Sequence, residues 1–278
     1  MTRKAIFLDI DGTLANHRGV VPDSAREAVR RARANGHLVF VCTGRSLAEL
    51  WDHILAVGFD GVIAAAGGYV EHDGQVLSHV SVPVQQVRRV VEYFDAHGVQ
   101  YFLEANSGLY GSAGLKERLH ELAFAGVTDE TLLAELERGI GPFIDSVIVD
   151  GDPVRYDINK ISFLDSPVPL DEVDAVFGDA FTVIPATVPV FGPNSGELAI
   201  PGVHKADAIA LLLDHLGIDL ADTMAYGDGH NDLEMLKHVA VGVAMADAVP
   251  ELLAVADEVT ASADDDGLLA SFTAHGLV

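Results

Sequence analysis

"IFLDIDGTLANH", residues 6–17, is the stretch on which the reading of this chain turns. An apolar run, Ala5-Ile6-Phe7-Leu8, leads into Asp9, and Ile10, Asp11, Gly12 and Thr13 follow at once. A short apolar run bounded by a turn signal reads as a buried strand. Two carboxylates at its carboxyl end do nothing for packing, and charges brought near a buried strand cost free energy unless they are partnered. The glycine allows the backbone to turn tightly beside them. Such a strand end is built for chemistry.

Outward from this point the elements alternate. "DSAREAVRRARANG" (23–36) predicts a helix, with Asp23 or Ser24 as N-cap and Gly36 past its end. "HLVFVCTG" (37–44) predicts a second strand, "SLAELWDHILAVG" (46–58) a helix capped by Ser46 and stopped by Gly58, and "DGVIAAAG" (60–67) a third strand. Short, nearly all-apolar strands between amphipathic helices imply a parallel sheet covered on both faces. Between about 80 and 190 the rhythm changes to mixed elements, bounded by Pro83 on one side and by Pro185, Pro189 and Pro193 on the other. It returns with a helix at 205–217, a strand and turn at 223–229, a helix at 231–239 and the short strands "VAVGVAM" and "EVTAS". The expected fold is α/β. A Rossmann-like, parallel-sheet core spans 1–82 and 190–278, and an α+β cap at 83–189 is inserted between its halves. A cleft between core and cap is a natural ligand site.

Composition narrows the class. Hydrophobic residues make up 49% of the 278 and charged residues 21%, as in ordinary globular proteins. The net charge of −25, with 17 Lys plus Arg, argues against nucleic acid or an anionic membrane as partner, since both need clustered positive charge. Cys42 is the one cysteine, so no internal disulfide forms. The apolar run before Asp9 is too short for a signal peptide, and no uncharged run approaches the roughly 20 residues that span a bilayer. A reducing cytoplasm is the expected compartment.

In open α/β sheets, ligands bind beyond the carboxyl ends of the strands. That edge collects Asp9-Ile10-Asp11-Gly12, Thr43-Gly44-Arg45, Lys205 at a helix start, and Gly227-Asp228-Gly229-His230-Asn231-Asp232. Taken singly, each is an ordinary cap, turn or surface residue; together they fall at one predicted edge. Asp9, Asp11, Asp228 and Asp232 would crowd one pocket with negative charge, which a divalent cation relieves. An all-oxygen set selects a hard ion, Mg²⁺ before Zn²⁺. Thr43, the amides around Gly44 and the start of the helix after Ser46 make an anion cradle, and Arg45 and Lys205 add positive charge. The set describes metal-assisted phosphoryl transfer.

"DIDGTL" at 9–14, "TGR" at 43–45, Lys205 and "GDGHND" at 227–232 resemble the four ordered motifs of the haloacid dehalogenase-like (HAD) hydrolase superfamily. Only 34 positions separate Asp9 from Thr43, whereas 160 separate Arg45 from Lys205, so a cap fits after the second motif alone. That arrangement is similar to the Cof-like, subfamily IIB phosphatases, and "GELAIPGVHKADAI" (196–209) and "VTASADDDGLLA" (259–270) extend the likeness. The resemblance implies Asp9 as nucleophile, forming an aspartyl phosphate, and Asp11 as proton donor and acceptor. It implies Gly12 making room for phosphate, Thr43 bonding the phosphoryl group, Lys205 neutralising Asp9, and Asn231 orienting Lys205 or the phosphoryl group. Mg²⁺ would sit on Asp9, Asp228, Asp232 and the Asp11 carbonyl. The substrate would be a small phosphorylated metabolite such as a sugar phosphate. Two departures stand out: Ala66-Gly67 replaces the usual Asn-Gly, and Ala206 replaces a common Gly after the lysine.

Other residues carry less. His230 lies inside the metal motif, and His204 beside Lys205 is a candidate for substrate contact. Asp264, Asp265 and Asp266 read as a solvated loop, and Trp51 as core. In the cap, Glu104, Asn106, Tyr110 and above all Lys160 are candidates to reach the cleft. Against a phosphatase stand a phosphomutase similar to phosphomannomutase, for which no cluster of cap arginines is seen, a phosphoacceptor switch of the receiver type, and a non-catalytic sugar-phosphate sensor. Receivers are about half this length and lack a cap.

Overall fold

The computed structural model describes residues 2–186 and 189–278, so part of the 183–193 boundary, residues 187 and 188, lies outside the described residues. The strands follow one another as β1 (Ala5–Leu8), β2 (Leu38–Cys42), β3 (Gly61–Ala64), β4 (Tyr69–His72) and β5 (Gln75–His79). Next come β6 (Gln100–Ala105), β7 (Leu109–Gly111), β8 (Val147–Ile148), β9 (Ile158–Leu164), β10 (Thr182–Pro185) and β11 (Gly196–Ala199). The last are β12 (Thr223–Gly227), β13 (Val241–Met245) and β14 (Glu258–Thr260). Among the described residues they form one sheet of eight strands and one of six.

The eight-stranded sheet has the order β14-β13-β12-β1-β2-β3-β4-β5. The six strands from β14 to β3 are parallel, in five neighbouring pairs. Ile6 and Phe7 in β1, and Val39, Phe40 and Val41 in β2, are fully buried, as strands covered on both faces must be. The sheet departs from the expected all-parallel one. β4 and β5 are antiparallel, joined by the Asp73-Gly74 turn, in which both residues have positive φ.

The helix expected at 46–58 is also different. It breaks into a 3₁₀ turn, Leu47–Glu49, and a short helix, Asp52–Leu55, with Trp51 extended between them. The reason is local: Glu49 Oε2 accepts from both the amide and the hydroxyl of Ser46, at 2.9 Å each, and closes the first turn on itself. The helix at Asp23–Ala34 forms, but Pro22 occupies the cap position and no side chain caps it.

The contacts divide the chain into two units. The first holds the residues up to Arg45, Leu50–His79 and Val203–Val278; the second holds Ser46–Glu49 and Val80–Gly202. The expected boundary at 189/190 is therefore corrected. β11 pairs antiparallel with β9 and β10, which ties residues 190–202 into the second unit's sheet. That sheet has the order β10-β11-β9-β6-β7-β8 and packs Phe94, Tyr101, Phe163 and Phe177 into its own core. Each unit thus has its own core. No described helix is long and apolar enough to cross a membrane.

Candidate active site

The parallel registers put the polar strand ends side by side. Leu8 is paired with Val41 on one flank and Tyr226 on the other, so the residues that follow each strand emerge at one edge. Asp9 continues the ladder by one bond, its amide donating to the Tyr226 carbonyl at 3.0 Å. Lys205 opens the helix Lys205–Leu216 and is fully buried. Its Nζ donates to Asp9 Oδ1 at 2.6 Å and to Asp232 Oδ1 at 2.5 Å. Asp232 Oδ2 accepts from the amides of Asp228 and Gly229, both at 3.0 Å. Thr13 Oγ1 donates to Asp228 Oδ1 at 3.3 Å.

Two glycines make this packing possible. A Cβ on Gly12, whose φ is +81°, would lie 2.2 Å from Asp228 Oδ2; one on Gly227 would lie 2.5 Å from the Asp232 carboxyl. Gly44 lies close to Asn231, whose Nδ2 would be 3.1 Å from a Cβ there. Thr43 is buried and its hydroxyl accepts from the Arg45 amide at 3.1 Å.

Oxygen atoms of Asp9, Asp228 and Asp232 all lie within 4.8 Å of one another. One ammonium among three carboxylates leaves surplus negative charge. Burial, together with Asp232 and against the pull of Lys205, holds the Asp9 carboxyl well above the usual range. Burial, and then Asp232, pushes Asp228 up to about 6. Burial alone would lower Lys205, but Asp232 and Asp9 outweigh it and keep the ammonium charged. Oxygen donors with unmet negative charge fit a hard divalent cation.

Asp11 does not join that cluster through its side chain. Its carboxylate is 55% exposed, and Arg45 grips it bidentately, Nε to Oδ2 at 2.9 Å and Nη2 to Oδ1 at 2.6 Å. The Arg45 guanidinium lies 5.3 Å from the centre of the Trp51 ring. Sequence reasoning placed Arg45 on the phosphate and Trp51 in the core. Trp51 is in fact half-buried and lies against the Arg45 guanidinium. The spacing carried no sign of either contact.

The remaining candidates are placed as follows. His230 is exposed and lies 3.5 Å from Glu251, and His204 Nε2 lies 3.2 Å from Asp207. Asp264 is not simply solvated: it accepts from Asn16 Nδ2 at 2.7 Å. In the second unit, Lys160 lies between Glu104 at 3.4 Å and Glu197 at 2.9 Å, and Ser162 donates to Glu104 at 2.6 Å. Asn106 accepts from Asn159 at 2.7 Å, and Tyr110 is buried under Arg155, 4.1 Å from the ring centre.

Residues 6–272 match the family described as haloacid dehalogenase-like hydrolase. YkrA of Bacillus subtilis (strain 168) is 30% identical over 287 aligned residues, which cover 100% of both chains. The chain is a haloacid dehalogenase-like hydrolase. Two further similarities place this hydrolase among the phosphatases. The 5-amino-6-(5-phospho-D-ribitylamino)uracil phosphatase YitU of Bacillus subtilis (strain 168) is 25% identical, over 95% of this chain and 94% of its own. The solved HAD subclass IIB sugar phosphatase BT4131 superposes with a TM-score of 0.72 at 25% identity, covering 99% of this chain and 100% of that one. The chain is accordingly an enzyme, a hydrolase acting on phosphate esters.

Proposed function

We propose that this hydrolase removes phosphate from a small phosphomonoester, a sugar phosphate or a related metabolite, with Mg²⁺ as cofactor and Asp9 as nucleophile. The observation that carries the reading is the Asp9–Lys205–Asp232 chain of contacts inside a three-carboxylate cluster. It holds one oxygen of Asp9 on an ammonium and fixes the carboxylate for in-line attack. Asp9, Asp228 and Asp232, with the Asp11 carbonyl, are the groups that would hold Mg²⁺. When bound, the ion offsets charge on the phosphoryl oxygens.

The steps follow from the chain's own groups. An oxygen of Asp9 bonds to phosphorus as the ester P–O bond breaks, and Asp11 supplies the proton to the departing oxygen. Thr43, the Gly44 amide and Asn231 face the phosphoryl group, and Lys205 balances its charge. Water then attacks the aspartyl phosphate, giving its proton to Asp11, and Asp9 is released. The sugar phosphatase BT4131 and the ribitylamino-uracil phosphatase YitU support a polyhydroxylated substrate.

The two carboxylates of the opening motif provide the test. Asp9→Asn should reduce hydrolysis to background and take up no label from a ³²P-labelled activated donor such as acetyl phosphate. Asp11→Asn should accumulate acid-stable label, because the second half-reaction lacks its base. Label retained on Asp9→Asn would place the nucleophile elsewhere.

A further inference from the structure

We infer that Arg45 is the positioning residue of Asp11, holding the carboxylate in place for proton transfer, and is not a grip on substrate phosphate. The inference rests on the phosphatase chemistry proposed above. Arg45 stands just past the end of β2 and Asp11 just past the end of β1, neighbouring parallel strands. The arginine is rigidly mounted. Its amide donates to Thr43 Oγ1 at 3.1 Å, its carbonyl accepts from the Ala65 amide at 2.7 Å, and the Trp51 face backs its guanidinium. The carboxylate is not: its side chain is 55% exposed against 19% for Arg45, and among the described residues Arg45 is the one side chain that bonds it. A single donor leaves a carboxylate free to rotate about its last bond. Two parallel N–H donors fix its plane, which an ammonium cannot do. A guanidinium already forked onto Asp11 has spent its paired donors there.

What is positioned is a proton. In the first half-reaction the Asp11 O–H bond breaks and its proton passes to the ester oxygen, as the P–O bond to that oxygen breaks and the Asp9–phosphorus bond forms. In the second, Asp11 takes a proton from water as the water oxygen bonds to phosphorus and the bond to Asp9 breaks. Poor leaving groups need the first transfer; good ones do not. Hydrolysis of the aspartyl phosphate needs the second whatever the leaving group was.

The two roles for Arg45 therefore separate on a leaving-group series, ethyl, phenyl and p-nitrophenyl phosphate, with Mg²⁺ present. General acid–base help is worth roughly 10²–10⁴-fold. Arg45→Met should lower kcat/KM for ethyl phosphate about 10²-fold, and for p-nitrophenyl phosphate by less than about tenfold. With p-nitrophenyl phosphate, kcat should fall more than kcat/KM, so that KM falls as well. Arg45→Lys should rescue little. Trp51→Leu, which leaves both charges in place, should give the same pattern in weaker form and keeps the test open should Arg45→Met not fold. An equal loss across the series with raised KM, rescued by Lys, would show that Arg45 grips substrate and overturn the inference. Failure of the wild type on all three esters would instead strike at the phosphatase reading beneath it.

Discussion

Replacing Lys205 by Met keeps a side chain of similar length and removes one ammonium from the centre of the acidic cluster. Lys205 and Asp232 are fully buried and the Asp9 side chain is 7% exposed, so water cannot take over the lost contacts. Asp9 loses a 2.6 Å charge-assisted bond and Asp232 a 2.5 Å one. Asp232 keeps its two backbone donors on the other oxygen, so Asp9 bears most of the loss. Breaking a buried ion pair from one side costs about 3–5 kcal/mol. The two pairs share one lysine and do not add. The predicted loss for Lys205→Met in the presence of chelator is therefore about 3–5 kcal/mol, a large part of the roughly 5–15 kcal/mol that holds a domain. Trp51 is the one tryptophan of the chain and lies in the same unit, so its fluorescence during urea unfolding reports the relevant transition. Adding Asp232→Asn removes one stranded charge and should recover about 1–3 kcal/mol, the scale of coupling between residues in contact. A loss below about 1 kcal/mol for the single variant would mean that the carboxylates are not held by this lysine, and the account of the cluster would fail.

Two further outcomes are expected. Asp228 has a folded-state pKa of about 6, above the unfolded value of about 3.9 for Asp, so the folded state binds the extra proton and stability should fall as pH rises from about 4 to 6. Thermal melts in chelator should show this fall, Mg²⁺ should offset it by binding the ionised form, and Asp228→Asn should flatten it; melts of the wild type and Asp228→Asn with the same pH slope would contradict the charge argument. Ala66 has φ 53° and ψ 27°, a left-handed conformation that costs a Cβ-bearing residue about 1–2 kcal/mol. Ala66→Gly should raise the urea midpoint by the equivalent of up to about 1 kcal/mol, after the glycine's own entropy cost, and a lowered midpoint would show that the methyl packs usefully.

Much of this was legible because the parallel core repeats a local pattern. Short apolar strands with a polar residue at the carboxyl end announce themselves one by one, and Asp9, Thr43 and Asp228 each follow such a signal, whereas Lys205 is marked by a helix start. The match over residues 6–272 shows the family that those motifs resemble. What escaped was set by contacts distant in sequence. Arg45 meets Asp11 across 34 positions because two strands are neighbours, and no periodicity records which strands pair. β11 belongs with β9 for the same reason, so prolines alone misplaced the boundary. The Asp73-Gly74 turn was a local signal passed over, since the strand after it, β5, is too exposed to read as core. The shortened helix after Ser46 turned on one glutamate closing on its own cap.

The place of β1 in its sheet bears on how the protein comes into being. β1 lies between β2, which follows within 40 residues, and β12, which ends at Gly227. A chain leaving the ribosome therefore carries β1 with one flank bare while the whole stretch Val80–Gly202 is made. That stretch supplies most of a unit with its own core and can collapse while synthesis continues. Lys205, Asp228 and Asp232 are made nearly 200 or more residues after Asp9. The nascent polypeptide thus carries Asp9 without the ammonium that pairs with it until Lys205 has been made. Long-range pairing of this kind is slow to form. A premature stop anywhere before Lys205 leaves an apolar strand, β1, with an unpaired edge, and that edge is where aggregation of truncated products would begin.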